Sequence, residues 1–329
     1  MDLDDRPQRA GTEKNQPQRA GAEEYGAAAA ENAAAIPAAT PAATQENVAA
    51  SGEKRRNRLR TGRNLPVAAA VGLVMGGLVL VTLYTVKATF LLYMGAAVAL
   101  AGWELSRALA IRQIRLALVP LLAGGIAIWI CAYWLGPRAA LGTAALAFGA
   151  VVVWRLPGGA VGYLRDVTAS VFTLAYLPLL GVFAVLMLAS RDGPDRIIVF
   201  IAVTVCSDVG GYFAGIMFGR HRLAPAISPS KTWEGLTGSV VACLGAGAGL
   251  VPTLLGGRFW QGMILGAACV AAATLGDLAE SMIKRDLEIK DMGSVLPGHG
   301  GVLDRLDSLL FNAPVVWLLL AVFVPAGAR

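Results

Sequence analysis

The sequence predicts an all-α, polytopic integral membrane protein with about nine transmembrane helices and a disordered N-terminal tail. Three observations carry this reading. The 329 residues are 56% hydrophobic and only 15% charged, whereas soluble domains carry roughly 25% charged residues. The apolar residues fall in long blocks, and mean hydropathy over the chain is +0.60. Short alternating strands, the mark of a barrel, do not occur, and in lipid only helices and closed barrels satisfy their own backbone hydrogen bonds.

Residues 1–63 read as a disordered cytoplasmic tail. They are rich in Ala, Glu, Gln, Pro and Arg, with a duplicated Pro-Ala-Ala-Thr at Pro37–Thr40 and Pro41–Thr44. So few large aliphatic side chains cannot offset the entropy of ordering. The opening Met-Asp-Leu-Asp-Asp has no early apolar core, so a cleavable secretory signal is not expected. Lys54, Arg55, Arg56, Arg58, Arg60 and Arg63 then form a basic cluster that holds this side in the cytoplasm.

Apolar blocks follow at 66–85, 88–105, 115–135, 139–154 and 168–190, giving an N-terminal group of about five spans over 64–194. Four more, at 197–219, 236–256, 260–283 and 312–326, fall in a C-terminal region over 195–329. With the N-terminus inside, the basic cluster, Arg107, Arg112, Arg115, Arg155, Arg165, Arg220, Arg222, Lys231, Lys284, Arg285, Lys290 and Arg305 share the cytoplasmic side. The opposite side, with the C-terminus, receives only Lys87, Arg138, Arg191, Arg196, Arg258 and Arg329. That asymmetry fits an inner membrane and explains the net charge of +6 without any nucleic-acid partner. Cys131, Cys206, Cys243 and Cys269 all lie in apolar stretches and read as packing residues.

Six of the expected spans read as featureless mixtures of Ala, Leu, Val and Gly, and every exception lies in the last third. Asp208 sits inside the sixth span, where an acid costs about 2.5–3.5 kcal/mol and so normally has a partner or a task. Gly211, Gly215 and Gly219 follow it at four-residue spacing, which permits close helix packing. At the end of the eighth span, Asp277, Glu280, Ser281 and Lys284 form one polar stripe at i, i+3, i+4 and i+7. The next loop gathers Lys290, Asp291, His299, Asp304, Arg305 and Asp307 around Pro297–Gly301. Carboxylates beside Lys and Arg, with a glycine-flanked His, suit a magnesium ion and a polyphosphate. The loop Arg220–Gly235 adds Ser230, Lys231 and Trp233; it lacks the glycines of a Walker A loop.

The run Ser281-Met-Ile-Lys284-Arg285, Lys290-Asp291-Met-Gly293, Leu296-Pro297-Gly-His299-Gly300-Gly301, Asp304-Arg305-Leu-Asp307 resembles the signature of the CTP:phosphatidate cytidylyltransferases, the CDP-diacylglycerol synthases. The resemblance covers roughly 195–310, with Gly211, Arg220 and Ser230 as small departures. It implies transfer of a cytidylyl group from CTP to phosphatidate at the membrane, yielding CDP-diacylglycerol and pyrophosphate. It also implies Mg²⁺ at Asp277 and Asp304, with Asp208 and Asp307 as further candidate ligands and room for a second cation. Lys284 and His299 join Asp277, Asp304 and Asp208 as candidate catalytic residues. Ser230, Lys231, Ser281, Arg285, Lys290 and Arg305 are the candidate substrate-binding set. The partners implied are CTP, phosphatidate and membrane lipid, and a homodimer is an allowed assembly. An ion-coupled transporter is the rival reading of Asp208 and Asp277, but no matching polar helices occur in the first half. An alcohol phosphotransferase would need an Asp-Gly-x2-Ala-Arg hallmark, which is absent.

Overall fold

The computed structural model describes residues 65–225, 227–293 and 301–325. The expected tail, its basic cluster and the centre of the signature loop lie outside them. Nine main helices occur among the described residues: α1 (Leu65–Thr85), α2 (Lys87–Ile111), α3 (Leu118–Leu135), α4 (Pro137–Trp154), α5 (Tyr163–Ala189), α6 (Gly193–Phe218), α7 (Trp233–Leu255), α8 (Phe259–Asp286) and α9 (Leu303–Phe323). Eight of them, α2 to α9, are long and apolar enough to cross a membrane; of α1, Gly76–Thr85 counts as a shorter apolar helix. A two-stranded antiparallel hairpin, β1 (Arg222–Ala224) and β2 (Ser228–Thr232), links α6 to α7.

Turn chemistry explains why the spans are separate. Gly136, with φ of 85°, ends α3, and Pro137 opens α4 at a position where its missing N–H costs nothing. Gly256, at φ 68°, ends α7 in the left-handed region that favours glycine.

The helices alternate in direction, and hydrogen bonds tie the links together at each end. At one end Arg112 pairs with Glu288 at 2.8 Å and donates to the Asp286 carbonyl at 3.0 Å. At the same end Asp166 binds Arg155 at 2.5 Å and accepts from the Arg115 N–H at 3.0 Å. At the other end Lys87 donates to the Ser190 carbonyl at 2.7 Å, and Arg196 to that of Val324 at 2.6 Å. The described parts of the polar loops, 219–225, 227–232, 287–293 and 301–302, therefore share an end with 112–117 and 155–162.

One element extends the sequence reading and one differs from it. The last helix begins at Leu303, ahead of the apolar block at 312–326; Asp304 and Asp307 share a helix face after the glycine turn, as their spacing implies, and lie with Arg305 in its first turns. Charges outside an apolar block still take helical form when the helix start is held, as it is here (below). The segment Arg222–Thr232, read as a loop, pairs as a hairpin with Arg222 opposite Thr232 and Ala224 opposite Ser228.

Candidate active site

Two helices bring the acids together. On α8, Asp277, Glu280, Ser281 and Lys284 recur at helical spacing; Asp277, Glu280 and Lys284 face the start of α9, and Ser281 lines the space beside the hairpin. The two helices meet closely because Gly276 has no side chain; a Cβ there would lie 2.6 Å from the Asp307 carbonyl oxygen. Ser308 Oγ donates to Asp277 Oδ1 at 2.7 Å, and the Ser308 N–H donates to Asp307 Oδ1 at 2.7 Å. Lys284 Nζ bridges the helices, donating to Glu280 Oε2 at 2.5 Å and Asp304 Oδ1 at 2.9 Å. Asp304 Oδ2 in turn accepts from the Gly301 N–H at 2.8 Å, holding the entry to α9.

The hairpin supplies the next wall. Its second strand delivers Lys231 onto α8, where Nζ is paired with Asp277 Oδ2. Thr232 Oγ1 accepts from the Gly235 N–H at 3.1 Å, so α7 is capped one residue after Lys231. The Glu234 carboxylate accepts from the N–H groups of Arg220 and His221 at 3.1 and 3.2 Å and meets His221 Nδ1 at 2.7 Å. These bonds pin the root of the hairpin and leave Lys231 little freedom of placement.

Close packing of α6 on α7 completes the enclosure. A Cβ on Gly210 would stand 2.7 Å from the Gly238 carbonyl oxygen, and one on Gly238 2.6 Å from that of Gly210. Backbones therefore meet directly, and Asp208 opens into the space beside them. A cavity of about 380 Å³ is lined by Ser207, Asp208, Gly211, Gly215, Ser230, Lys231, Thr232, Gly235 and Asp277. A second, of about 680 Å³, is lined by Ser228, Ser230, Ser281, Lys284, Arg285 and Lys290. Ser230 belongs to both, so they adjoin at the hairpin.

The structure thus brings Asp208, Lys231 and Asp277 into one cavity and Ser281, Lys284, Arg285 and Lys290 into its neighbour. Asp304 touches Lys284, and Asp307 is buried beside Asp277 and Glu280. Arg305 is exposed on α9 and acts electrostatically on Asp208, as does Lys231. His299 lies outside the described residues.

Two residues escaped the sequence reading, and both come from the first five spans, which are therefore not featureless. Glu104 on α2 is 2% exposed, and its Oε2 accepts from the Leu303 N–H at 3.0 Å. The signal was weak, a lone acid at the very end of the apolar block 88–105. Tyr176 is buried with its hydroxyl unpartnered, against Phe311 of α9 and near the four acids of α8 and α9. It sits on a π-helical turn, Ala175–Leu179, where Pro178 interrupts α5. Trp129 Nε1 donates to the Pro178 carbonyl at 2.7 Å, tying α3 to this turn. A proline in mid-span was the available sign.

The anionic donors of this cleft are carboxylate oxygens, accompanied by serine and threonine hydroxyls, the chemistry of hard cations such as Mg²⁺. Among the described residues no three His, Cys, Asp or Glu side chains form a ready cage. Mg²⁺ does not need one, since it commonly takes one or two carboxylates and fills its shell with phosphate oxygens and water. The buried Glu280 Oε1 has no partner, and the acids exceed the lysines facing them. On these counts the residues fit such an ion.

Comparison with known proteins gives concordant matches. Residues 67–323 match the profile of the cytidylyltransferase family. A phosphatidate cytidylyltransferase of Mycobacterium leprae is 41% identical over 290 residues, covering 82% of this chain and 91% of that protein. One from Mycobacterium bovis is 38% identical over 278 residues, covering 79% and 90%. One from Haemophilus influenzae is 46% identical over a shorter stretch of 121 residues, covering 35% and 42%.

Proposed function

The chain belongs to the cytidylyltransferase family, and from that premise we propose how its residues join CTP to phosphatidate. The protein is a membrane-embedded phosphatidate cytidylyltransferase that forms CDP-diacylglycerol for phospholipid synthesis. Our proposal concerns the site and the course of the reaction.

A phosphate oxygen of phosphatidate forms a bond to the α-phosphorus of CTP. The bond from that phosphorus to its bridging oxygen breaks, and pyrophosphate leaves with the electron pair. The nucleophile is already an oxyanion, so the protein has little proton transfer to perform. Positioning and neutralising charge are its main tasks. Lys231 spends one of its three ammonium protons on Asp277, and Lys284 spends two on Glu280 and Asp304. Both keep N–H donors for phosphate oxygens, and each lines one of the adjoining cavities. Ser230 and Ser281 add hydroxyl donors to this lining and Arg285 and Lys290 further cations; Arg305 is assigned to substrate phosphate, and His299 to the departing pyrophosphate, from the family signature. Mg²⁺ at Asp277 and Asp304, with Asp208 and Asp307 as further candidate ligands, would neutralise phosphate charge and fix the triphosphate.

The observation that carries the reading is the alternation of acid and lysine in one cleft, Lys231 on Asp277 and Lys284 on Asp304. The excess of Lys and Arg on that end of the helices supports a cytoplasmic site in a bacterial inner membrane, with the N-terminus on the same side. At about 1.5 Å per residue, Asp277 lies roughly 13 Å below the end of α8. A site set back from the helix end in this way can receive a lipid phosphate that does not leave the bilayer.

The test is to incubate purified protein with labelled CTP, phosphatidate and Mg²⁺ and to extract the lipid. Label should enter the organic phase, vanish with a chelator and return with added Mg²⁺. An organic phase that stays unlabelled refutes the assignment, and labelling indifferent to the chelator refutes the metal site.

A further inference from the structure

Glu104 belongs to α2, in the half of the molecule that carries none of the signature. Its carboxylate is nonetheless buried where the two described ends of the signature loop meet. Oε2 accepts from the Leu303 N–H at 3.0 Å, a buried donor of the first turn of α9 that the helix itself cannot satisfy. Gly301 and Gly293 are pressed against the same side chain. A Cβ on Gly301 would lie 2.9 Å from Glu104 Oε2 and 2.9 Å from Asp304 Oδ2. A Cβ on Gly293 would collide with Glu104 Oε1. Around the carboxylate, Ala101, Leu105 and Ala108 of α2 pack with Leu287, Met292, Val302 and Leu303 as one buried cluster. The loop thus leaves α8 and enters α9 over a floor made by α2.

We infer that Glu104 is a positioning residue for cytidylyl transfer: it fixes the start of α9 and so the placement of Asp304 against Lys284. Two interleaved bonds do this, Glu104 to the Leu303 N–H and Asp304 to the Gly301 N–H. The glycines at 293 and 301 are the counterpart, since a side chain at either would displace the carboxylate. The inference rests on the proposed role of Asp304 for its effect on turnover, but not for its effect on the helix start.

Two variants and two measurements separate the cases. Glu104→Gln keeps an oxygen acceptor of the same reach, whereas Glu104→Leu keeps volume and removes the acceptor. For Glu104→Leu, kcat should fall roughly 10–100-fold, as for other sub-ångström to ångström misplacements, with KM for CTP little changed. Amide hydrogen exchange should quicken in the peptide spanning 301–306 while α3 and α4 keep the parent pattern. Glu104→Gln should retain most of the parent kcat and the slow exchange at 301–306. Parent-like kcat and exchange in Glu104→Leu overturn the inference. So does quickened exchange throughout the helices in both variants, which would mean that the residue serves packing alone. Exchange is read without turnover, so a loss of protection at 301–306 in an inactive preparation would uphold the clamp and count only against the reaction assigned to the cleft.

Discussion

The pair α3–α4 and the pair α8–α9 are both antiparallel apolar helices, yet they are built on different terms. In α4, Gly142 and Gly149 face open space, and Leu141 and Leu146 are largely exposed. In α8, Gly276 lies against the backbone of α9, and five charged side chains meet across the contact. The first pair meets through small apolar residues, Gly124 of α3 against Ala147 of α4, and turns the rest of its surface to lipid. The second has to keep carboxylates and ammoniums at fixed separation inside a membrane, and glycine contacts with short hydrogen bonds make that possible. Apolarity alone therefore says where a helix is, and the placement of its glycines and charges says what it does.

Five substitutions test that contrast, in falling order of effect. Asp304→Asn and Asp277→Asn should each lower kcat by about 10³-fold or more, the upper end for losing one preorganised electrostatic contact, while the protein elutes from a sizing column like the parent. Turnover near the parent rate in either would remove that residue from the metal site. Lys231→Met should lower kcat/KM for CTP by roughly 10²-fold, as for truncating one partner of a close charge pair. A loss confined to phosphatidate would reassign the lysine to the lipid. Last comes packing: Gly276→Ala should cost about 1–3 kcal/mol, as overpacking does, seen as a lower melting temperature in detergent. Gly149→Ala, made into open space, should leave melting unchanged, and equal shifts in the two would erase the distinction between the pairs.

Much of this was legible in the sequence, and the boundary of legibility is physical. The stripe Asp277–Lys284 follows from helical period, because its members are one turn apart on a single element. Asp304 and Asp307 are legible for the same reason. The pairing of Lys231 with Asp277 joins residues 46 apart through the register of a hairpin, and no local pattern specifies that register. Glu104 was missed for a different reason. It lies at the edge of its apolar block, where a charge normally marks an exit to water, and only contact with Leu303 reveals that it is buried. Arg155 and Arg165 look like simple topology signals, whereas both converge on the buried Asp166.

The seam between α6 and α7, where Gly210 and Gly238 face each other's carbonyl oxygens, bears on how this protein can be handled. Helices in lipid gain little from hiding apolar surface, since the acyl chains are as apolar as leucine. Contact of this kind rests instead on dispersion and on Cα–H groups directed at carbonyl oxygens. Neither depends on the bilayer, and a detergent chain is too thick to enter a gap that already excludes a methyl group. The walls that hold Asp208 and Lys231 should accordingly survive extraction into micelles, while the outward face of α4 exchanges its lipid for detergent without consequence for the cleft.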